Sequence, residues 1–404
     1  MRGHIFLILR RSRRTLLSLG VGLIFSLGFN PAEASSEKVY WGGVGFVSYN
    51  NRDKLFPNLS RLLCKSGTNC PDGNIDVYAK EQLDKVNFQN FSVSTDLIGT
   101  AESKGEGVIM APIIVRESIN RQEIEVGRGT KQQYLFRVFA NLTFFEFDTK
   151  RFISSRPIIF ACAKSYDKPI GPQEEFATFK SMVGSRCGKT NFFELMFQKT
   201  KTIKLDDSTD KYVRVNTADV SDQVGADISG RYAVSDWAPQ VSQIFEGYLV
   251  EATNAPFIPS VGDENLDVLQ TTFTDASFEI KLPPPDIEII PNVMLFKKFE
   301  KLTKNKRGRT VCHAVKVKVS VLWEKEDMLS AAFSRTKDSC GIVRITTKLD
   351  SISYFQESLF SLLFGLAKQF GNPNQEYIDK YAGDASKSGL LPKFKKVKEE
   401  AFTY

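Results

Sequence analysis

The chain has 404 residues, 42% of them hydrophobic and 12% aromatic, enough to bury a sizeable core in two or three domains. Its formal charge of +7 falls to +3 without residues 1–34, which hold five arginines and one glutamate. That near-balance removes any electrostatic reason to expect a nucleic-acid partner.

Arg10, Arg11, Arg13 and Arg14 precede an apolar run from Leu16 to Phe29, followed by Asn30-Pro31 and the small-residue site Ala32-Glu33-Ala34. A charged start, a short apolar stretch and an A-x-A site form the pattern of a cleavable signal peptide. The run is shorter than the roughly 20 residues that span a bilayer. Residues 1–34 are therefore expected to be removed, leaving an exported chain, periplasmic or extracellular. Arg13-Arg14 also resembles a twin-arginine signal, but the disulfides expected below favour export before folding.

In the first half, VYWGGVGFVSY reads as a strand and RDKLFPNLSRLL as a short helix, with GVIMAPIIV and QEIEV as further strands. Tyr134, Phe136, Val138, Ala140, Leu142 and Phe144 alternate along one face, a period of two that requires a sheet. The chain turns at Asp148-Thr149-Lys150 and returns through Ile158-Ile159-Phe160, while EEFATFKSMV and FFELMF read as helical or irregular. Residues 206–236, rich in Asp, Ser and Thr, are expected to be a polar linker.

The second half repeats this plan loosely. Val241, Ile244, Phe245, Tyr248, Leu249 and Ala252 follow helical spacing, ASFEIKL reads as a strand and NVMLFKKFEKL as a helix. Val311, His313, Val315, Val317, Val319, Val321 and Trp323 share a strand face, followed by a turn at EKED and a return through MLSAAF. Phe355, Leu359, Leu362, Leu363, Leu366 and Phe370 make a helical stripe. These elements predict an α+β fold of two β-hairpin-centred subdomains packed by helices and stabilised by disulfides. The expected boundaries are residues 35–205 for the first domain, 206–236 for the linker, 237–380 for the second domain and 381–404 for a Lys-rich flexible tail.

All six cysteines lie beyond the leader, and an even number in an exported chain is read as a disulfide framework. Cys64 and Cys70 would clip the loop CKSGTNC. Cys312 and Cys340 lie almost equally far from the EKED turn and so should face one another across paired strands. Elimination leaves Cys162 with Cys187.

The stretch SMVGSRCGKTNFF, residues 181–193, almost matches a phosphate-binding loop. The pattern G-x-x-x-x-G-K-[ST] needs glycine at position 183, which is Val183, and Gly184 leaves the loop one residue short. A disulfide-anchored turn at Cys187 is the expectation, with no nucleotide. Only His4 and His313 occur, and His4 leaves with the leader, so no multi-histidine metal site can form. His313 lies on the apolar face of a predicted strand, where a packed core role is expected. Ser334 and Lys337 fit S-x-x-K but lack companion motifs. Glu146/Asp148, Asp206/Asp207 and Glu324/Glu326/Asp327 are the nominal carboxylate pairs for glycoside cleavage, all at turns or in the linker.

The remaining feature is basic. KKFEKLTKNKRGR carries Lys297, Lys298, Lys301, Lys304, Lys306, Arg307 and Arg309 against Glu300, with Phe296 and Phe299 beside them. Such a segment suits an anionic lipid or an acidic polymer; LPKFKKVK near the C-terminus invites the same reading. The strand–turn–strand in FFEFDTKRFISSRPI resembles hairpins of bacterial outer-membrane assembly proteins, over too short a stretch to transfer any residue role. The sequence thus predicts an exported, non-catalytic binding or assembly protein of the cell envelope or extracellular space. Its expected partner is a protein or envelope component, and no cofactor, metal or catalytic residue is assigned. The alternative is a histidine-independent carboxylate hydrolase acting on polysaccharide.

Overall fold

The computed structural model describes residues 37–47, 55–64, 69–95, 107–126, 129–205, 211–260, 268–273, 277–304, 307–336, 340–344, 349–383, 387 and 389–402. The expected signal peptide lies outside them. The protein is an α+β fold with two sheets, stabilised by disulfides Cys64–Cys70, Cys162–Cys187 and Cys312–Cys340.

The first half runs β1 (Glu37–Trp41), β2 (Gly45–Val47), a 3-10 turn at Leu59–Leu62, α1 (Ile75–Leu83), β3 (Phe91–Ser94), β4 (Val108–Val126), β5 (Gly129–Glu146), β6 (Phe152–Tyr166), α2 (Pro172–Gly184) and α3 (Phe192–Thr200). Strands β4, β5 and β6 form an antiparallel meander. The alternating residues Tyr134–Phe144 bury one face of β5 under α2 and α3, where Phe136 meets Phe179 at 5.6 Å and Phe160 of β6 meets Phe192 at 6.5 Å. Helix α2 opens with Pro172 at its first position, and Glu174 reaches back to accept from the Gly171 N–H at 3.2 Å.

The second half continues with β7 (Val213–Val215), β8 (Asp219–Val220), α4 (Asp222–Ile228), α5 (Val234–Thr253), β9 (Phe257–Ile258), β10 (Val268–Thr272), β11 (Ser277–Lys281), β12 (Ile287–Leu302), β13 (Gly308–Trp323), β14 (Glu326–Arg335), β15 (Cys340–Arg344), α6 (Ser351–Gly371), α7 (Gln375–Tyr381) and α8 (Leu390–Phe402). Glu324 and Lys325 both have positive φ, 47° and 73°, as a two-residue hairpin turn requires. Cys340 lies on β15, which runs along β13 beyond the end of β14 and places Cys340 directly opposite Cys312.

The two halves share one topology. The first sheet has the order β3–β1–β4–β5–β6, with β2 pairing further along β4; the second has β9–β7–β12–β13–β14, with β8 pairing further along β12. The short strands are parallel to their neighbours in both, and the long meanders antiparallel. The hairpin β10–β11, inserted between β9 and β12, departs from the repeat: it returns to the first sheet and pairs with β2.

Three expectations are corrected. NVMLFKKFEKL is not a helix but part of β12, where a bulge between Val293 and Leu295 shifts the alternation. Buried Val293 and Phe296 therefore stand three residues apart and imitate helical spacing. Residues 211–236 are no linker. Val213 and Val215 are core positions of the second sheet, and α4 buries Val224 and Ile228 beneath a polar surface. Residues 390–402 form α8 instead of a flexible tail, burying Leu390, Phe394, Val397, Ala401 and Phe402 while the lysines stay outside.

Phe394 is fully buried, 5.2 Å from Phe370 and 6.1 Å from Phe333 between ring centroids. Phe394→Ala should lower the unfolding free energy by about 3–5 kcal/mol in urea melts. A change near zero would mean that α8 does not belong to the cooperative fold.

Candidate functional site

The basic segment forms the far end of the β12–β13 hairpin, with β15 along its edge. Residues directly opposite in paired strands share a face. One face therefore carries Lys297, Phe299 and Lys301 of β12, Thr310 and Cys312 of β13, and Ile342 and Arg344 of β15. The other carries Lys298, Glu300 and Leu302, and there Glu300 binds Lys298 at 2.5 Å and Arg309 at 2.9 Å. Those contacts, led by the Lys298 hydrogen bond, hold the Glu300 carboxyl below its usual range. Lys297, Lys301, Lys304 and Arg344 form no ion pair with any described residue. Two apolar side chains stand out on the first face, Phe299 at 44% and Ile342 at 75% exposed, and Leu302 at 57% on the other. The Lys297 ammonium lies 5.1 Å from the centre of the Phe299 ring. Lys306 lies outside the described residues; Arg307 is exposed.

A second feature was not singled out by the sequence. Helices α5 and α6 cover the face of β4–β6 opposite the first core, leaving a cleft of about 550 Å³. Asn120 and Gln122 of β4, Gln133, Leu135 and Arg137 of β5 and Ala163 of β6 form its floor. Tyr248 of α5, with Gln356, Phe360 and Phe364 of α6 among others, forms its wall. Tyr232 donates to Asn120 at 3.2 Å, and Asn120 donates to Gln356 at 3.2 Å, pinning one end. Arg137 is only 9% exposed, and its guanidinium lies 5.5 Å from the centre of the Phe360 ring. It makes no hydrogen bond or ion pair with any described residue, and desolvation lowers its pKa. Directly across the ladder on β4, the Ser118 hydroxyl is buried and also lacks a partner among the described residues. One sequence signal was available: Arg137 is the only charged residue in YLFRVFANLTFF.

His313 is buried, its ring stacked on Tyr354 at 4.9 Å and edge-on to Phe355 at 5.0 Å. Burial pushes its imidazole down to about 4, so it is neutral near pH 7. It lines a smaller cavity of about 210 Å³ with Arg335, Tyr354 and Glu357.

Among the described residues, the other sequence motifs assemble no cluster of catalytic side chains. Gly184 ends α2, whereas a phosphate loop must open a helix. Cys187 is tied to Cys162 of β6, and its N–H closes a tight turn onto the Thr190 carbonyl at 3.0 Å, with Gly188 at φ 76° and Lys189 exposed. Glu146 is held in its turn by Arg151 and Thr149, the Arg151 hydrogen bond chiefly lowering its pKa, and Asp148 is exposed. Glu324, Glu326 and Asp327 are exposed at a hairpin turn. Asp206, Asp207 and Lys337 lie outside the described residues, and Ser334 is exposed on β14.

Two carboxyls that the sequence did not flag are buried. Glu117 accepts from the backbone N–H groups of Asn58 and Leu59, at 2.9 and 2.8 Å, and from the Asn58 amide at 2.7 Å; burial outweighs these bonds and raises its pKa to about 7. Glu246 of α5 accepts from the Ser260 N–H at 3.2 Å, and desolvation raises it to about 8. Neither lines the cleft or the smaller cavity.

No protein-family model matches the chain, and no curated protein matches it in sequence. Among solved structures it is similar to a minor lipoprotein from Acinetobacter baumannii, at 12% identity and a TM-score of 0.19, over 41% of this chain and 90% of that one. A likeness at that TM-score carries no argument about fold or function.

The buried acids set a pH dependence. Both folded pKa values lie above the ordinary 4.5, so the folded state holds these protons more tightly than the unfolded chain. That stabilisation is complete below about 4.5 and is lost as pH rises through 7 and 8. His313 acts oppositely but only between about 4 and 6.5. Urea unfolding should therefore show stability falling from about pH 4.5 to 8, most steeply between about 6.5 and 7 where His313 no longer opposes it, with a flatter profile in Glu246→Gln. An unchanged slope in that variant would contradict the assignment.

Proposed function

We propose that the chain is an exported, non-catalytic binding or assembly protein of the cell envelope, docking on an anionic lipid surface through the β12–β13–β15 end. The leader pattern in residues 1–34 and the three disulfides support export. The observation that carries the docking reading is the pair of protruding apolar side chains, Phe299 and Ile342, on the same face as Lys297, Lys301 and Arg344, which form no ion pair with any described residue. A polymer of acidic groups would need only the charges. A bilayer rewards both, since anionic head groups attract lysines while exposed apolar and aromatic tips enter the interface. The Cys312–Cys340 disulfide ties β15 to β13 on that same face and so keeps Ile342 and Arg344 beside Phe299 and Lys301.

Binding of residues 35–404 to phosphatidylglycerol vesicles, measured by co-sedimentation, tests this. Retention should exceed that on phosphatidylcholine vesicles and fall with salt. Lys297→Gln, Lys301→Gln and Lys304→Gln together should weaken it on the order of 100-fold, at about 1 kcal/mol per lysine. Phe299→Ser with Ile342→Ser should weaken it at unchanged charge. Equal binding to both vesicle types, or loss with the lysine variant but none with the apolar one, would sink the lipid reading; the second outcome would point to an acidic polymer.

A further inference from the structure

We propose that the cleft between β4–β6 and helices α5 and α6 is a binding site for a small organic oxyanion, a carboxylate or phosphate ester with an apolar body, held by Arg137. This site is separate from the hairpin end and does not depend on the docking reading.

The argument starts from the cost of burying an ion. A guanidinium carries five N–H donors and stays charged at any ordinary pH, so withdrawing it from water without a partner is expensive. Proteins normally offset that cost with a carboxylate. Arg137, 9% exposed, has none among the described residues, and its guanidinium lies 5.5 Å from the centre of the Phe360 ring. Its charge instead faces the cleft of about 550 Å³, large enough for a small organic molecule.

The surroundings define the occupant. Ser118, directly across the ladder from Arg137, does not line the cleft, so the guanidinium is the cationic donor at that end of the floor. The planar fork of arginine matches the two oxygens of a carboxylate or phosphate. Leu135, Phe360 and Phe364 line the same cleft and provide apolar surface for the remainder of the molecule. Glu357 stands where the cleft meets the smaller cavity lined by His313, so the anionic group belongs at the Arg137 end and not there. The site is built on three long strands and two helices, a rigid frame for recognition.

Calorimetry and thermal melts of residues 35–404 with benzoate, phenyl phosphate and inorganic phosphate test this. At least one of the two aromatic anions should bind and raise the melting midpoint with increasing concentration, more than inorganic phosphate does; whichever binds more tightly identifies the head group. Arg137→Met should fold at least as stably as the parent, because it removes an uncompensated buried charge, and should bind the same anion at least tenfold more weakly. Ala163→Phe, which fills the cleft from an exposed floor position and keeps the arginine, should also abolish binding and covers the case in which Arg137→Met does not fold. The inference is overturned if neither aromatic anion binds the parent protein, or if both variants bind as the parent does.

Discussion

Helix α5 has no solvent face along its central length: no residue from Trp237 to Val250 is exposed. Most of the remaining architecture follows from that constraint. Trp237, Val241, Phe245 and Leu249 fill the core of the second sheet. The opposite side lies so close to β6 that a Cβ on Gly247 would fall 2.9 Å from the Ile159 side chain. Glycine at 247 thus lets the helix approach β6 without displacing that side chain. Backbone carbonyls beyond the helix are then used across the junction, with Ser155 donating to the Phe257 carbonyl at 2.6 Å and Arg156 to that of Ala255. The returning hairpin β10–β11 stitches the halves a second time, from the other edge of the first sheet.

A helix held this tightly against a flat sheet cannot fill all the space beside it. Where α5 contributes Tyr248 and α6 contributes Phe360, the sheet surface is polar, and the gap between them is the cleft. The cost of a helix buried on all sides is visible in Glu246, whose carboxyl lies in the same helix with one backbone hydrogen bond and is held protonated well above the usual carboxylate range. The hairpin end of the second sheet obeys a different rule. There the face carrying Phe299, Lys301 and Ile342 stays in water, while His313 and Val311 on the other face are buried, and the Arg309–Glu300 pair and the Cys312–Cys340 disulfide help to tie the strands together.

Much of this was legible in the sequence, and the failures have identifiable causes. The strand faces at Tyr134–Phe144 and Val311–Val321 and the stripes of α5 and α6 were read correctly because each packs one continuous apolar face into a core, which imposes its period on the residues whatever covers the other side. β12 was misread because one bulge changes the spacing of its buried residues from two to three. The segment from 211 to 236 and the C-terminal helix were missed for a common reason. Short elements that bury only two to five side chains can be polar elsewhere, so their composition resembles that of a loop or tail. The basic segment was visible as composition, but its value as a surface comes from β15, which brings Ile342 and Arg344 beside it from forty residues away.

The shared topology explains why the cleft was harder to see than the hairpin. The two meanders have the same strand order but different coverage. In the second sheet, β13 alternates Val315, Val317, Val319 and Val321 inward with Lys316, Lys318 and Ser320 outward, as a sheet with one wet face should. In the first, α5 and α6 lie on the second face, and every residue of β5 from Phe136 to Phe145 is buried. A charged residue on β13 is therefore unremarkable surface chemistry, whereas on β5 it has no water to retreat to. Arg137 is the one charged side chain within that buried run, placed where the helices leave the floor open. Period-two reading treats the face opposite the core as solvent, which is correct for the second half and wrong for the first. The distinction lies in which sheet receives the helix, a tertiary fact, and it turns an ordinary arginine in an alternating strand into a desolvated cation facing a cavity.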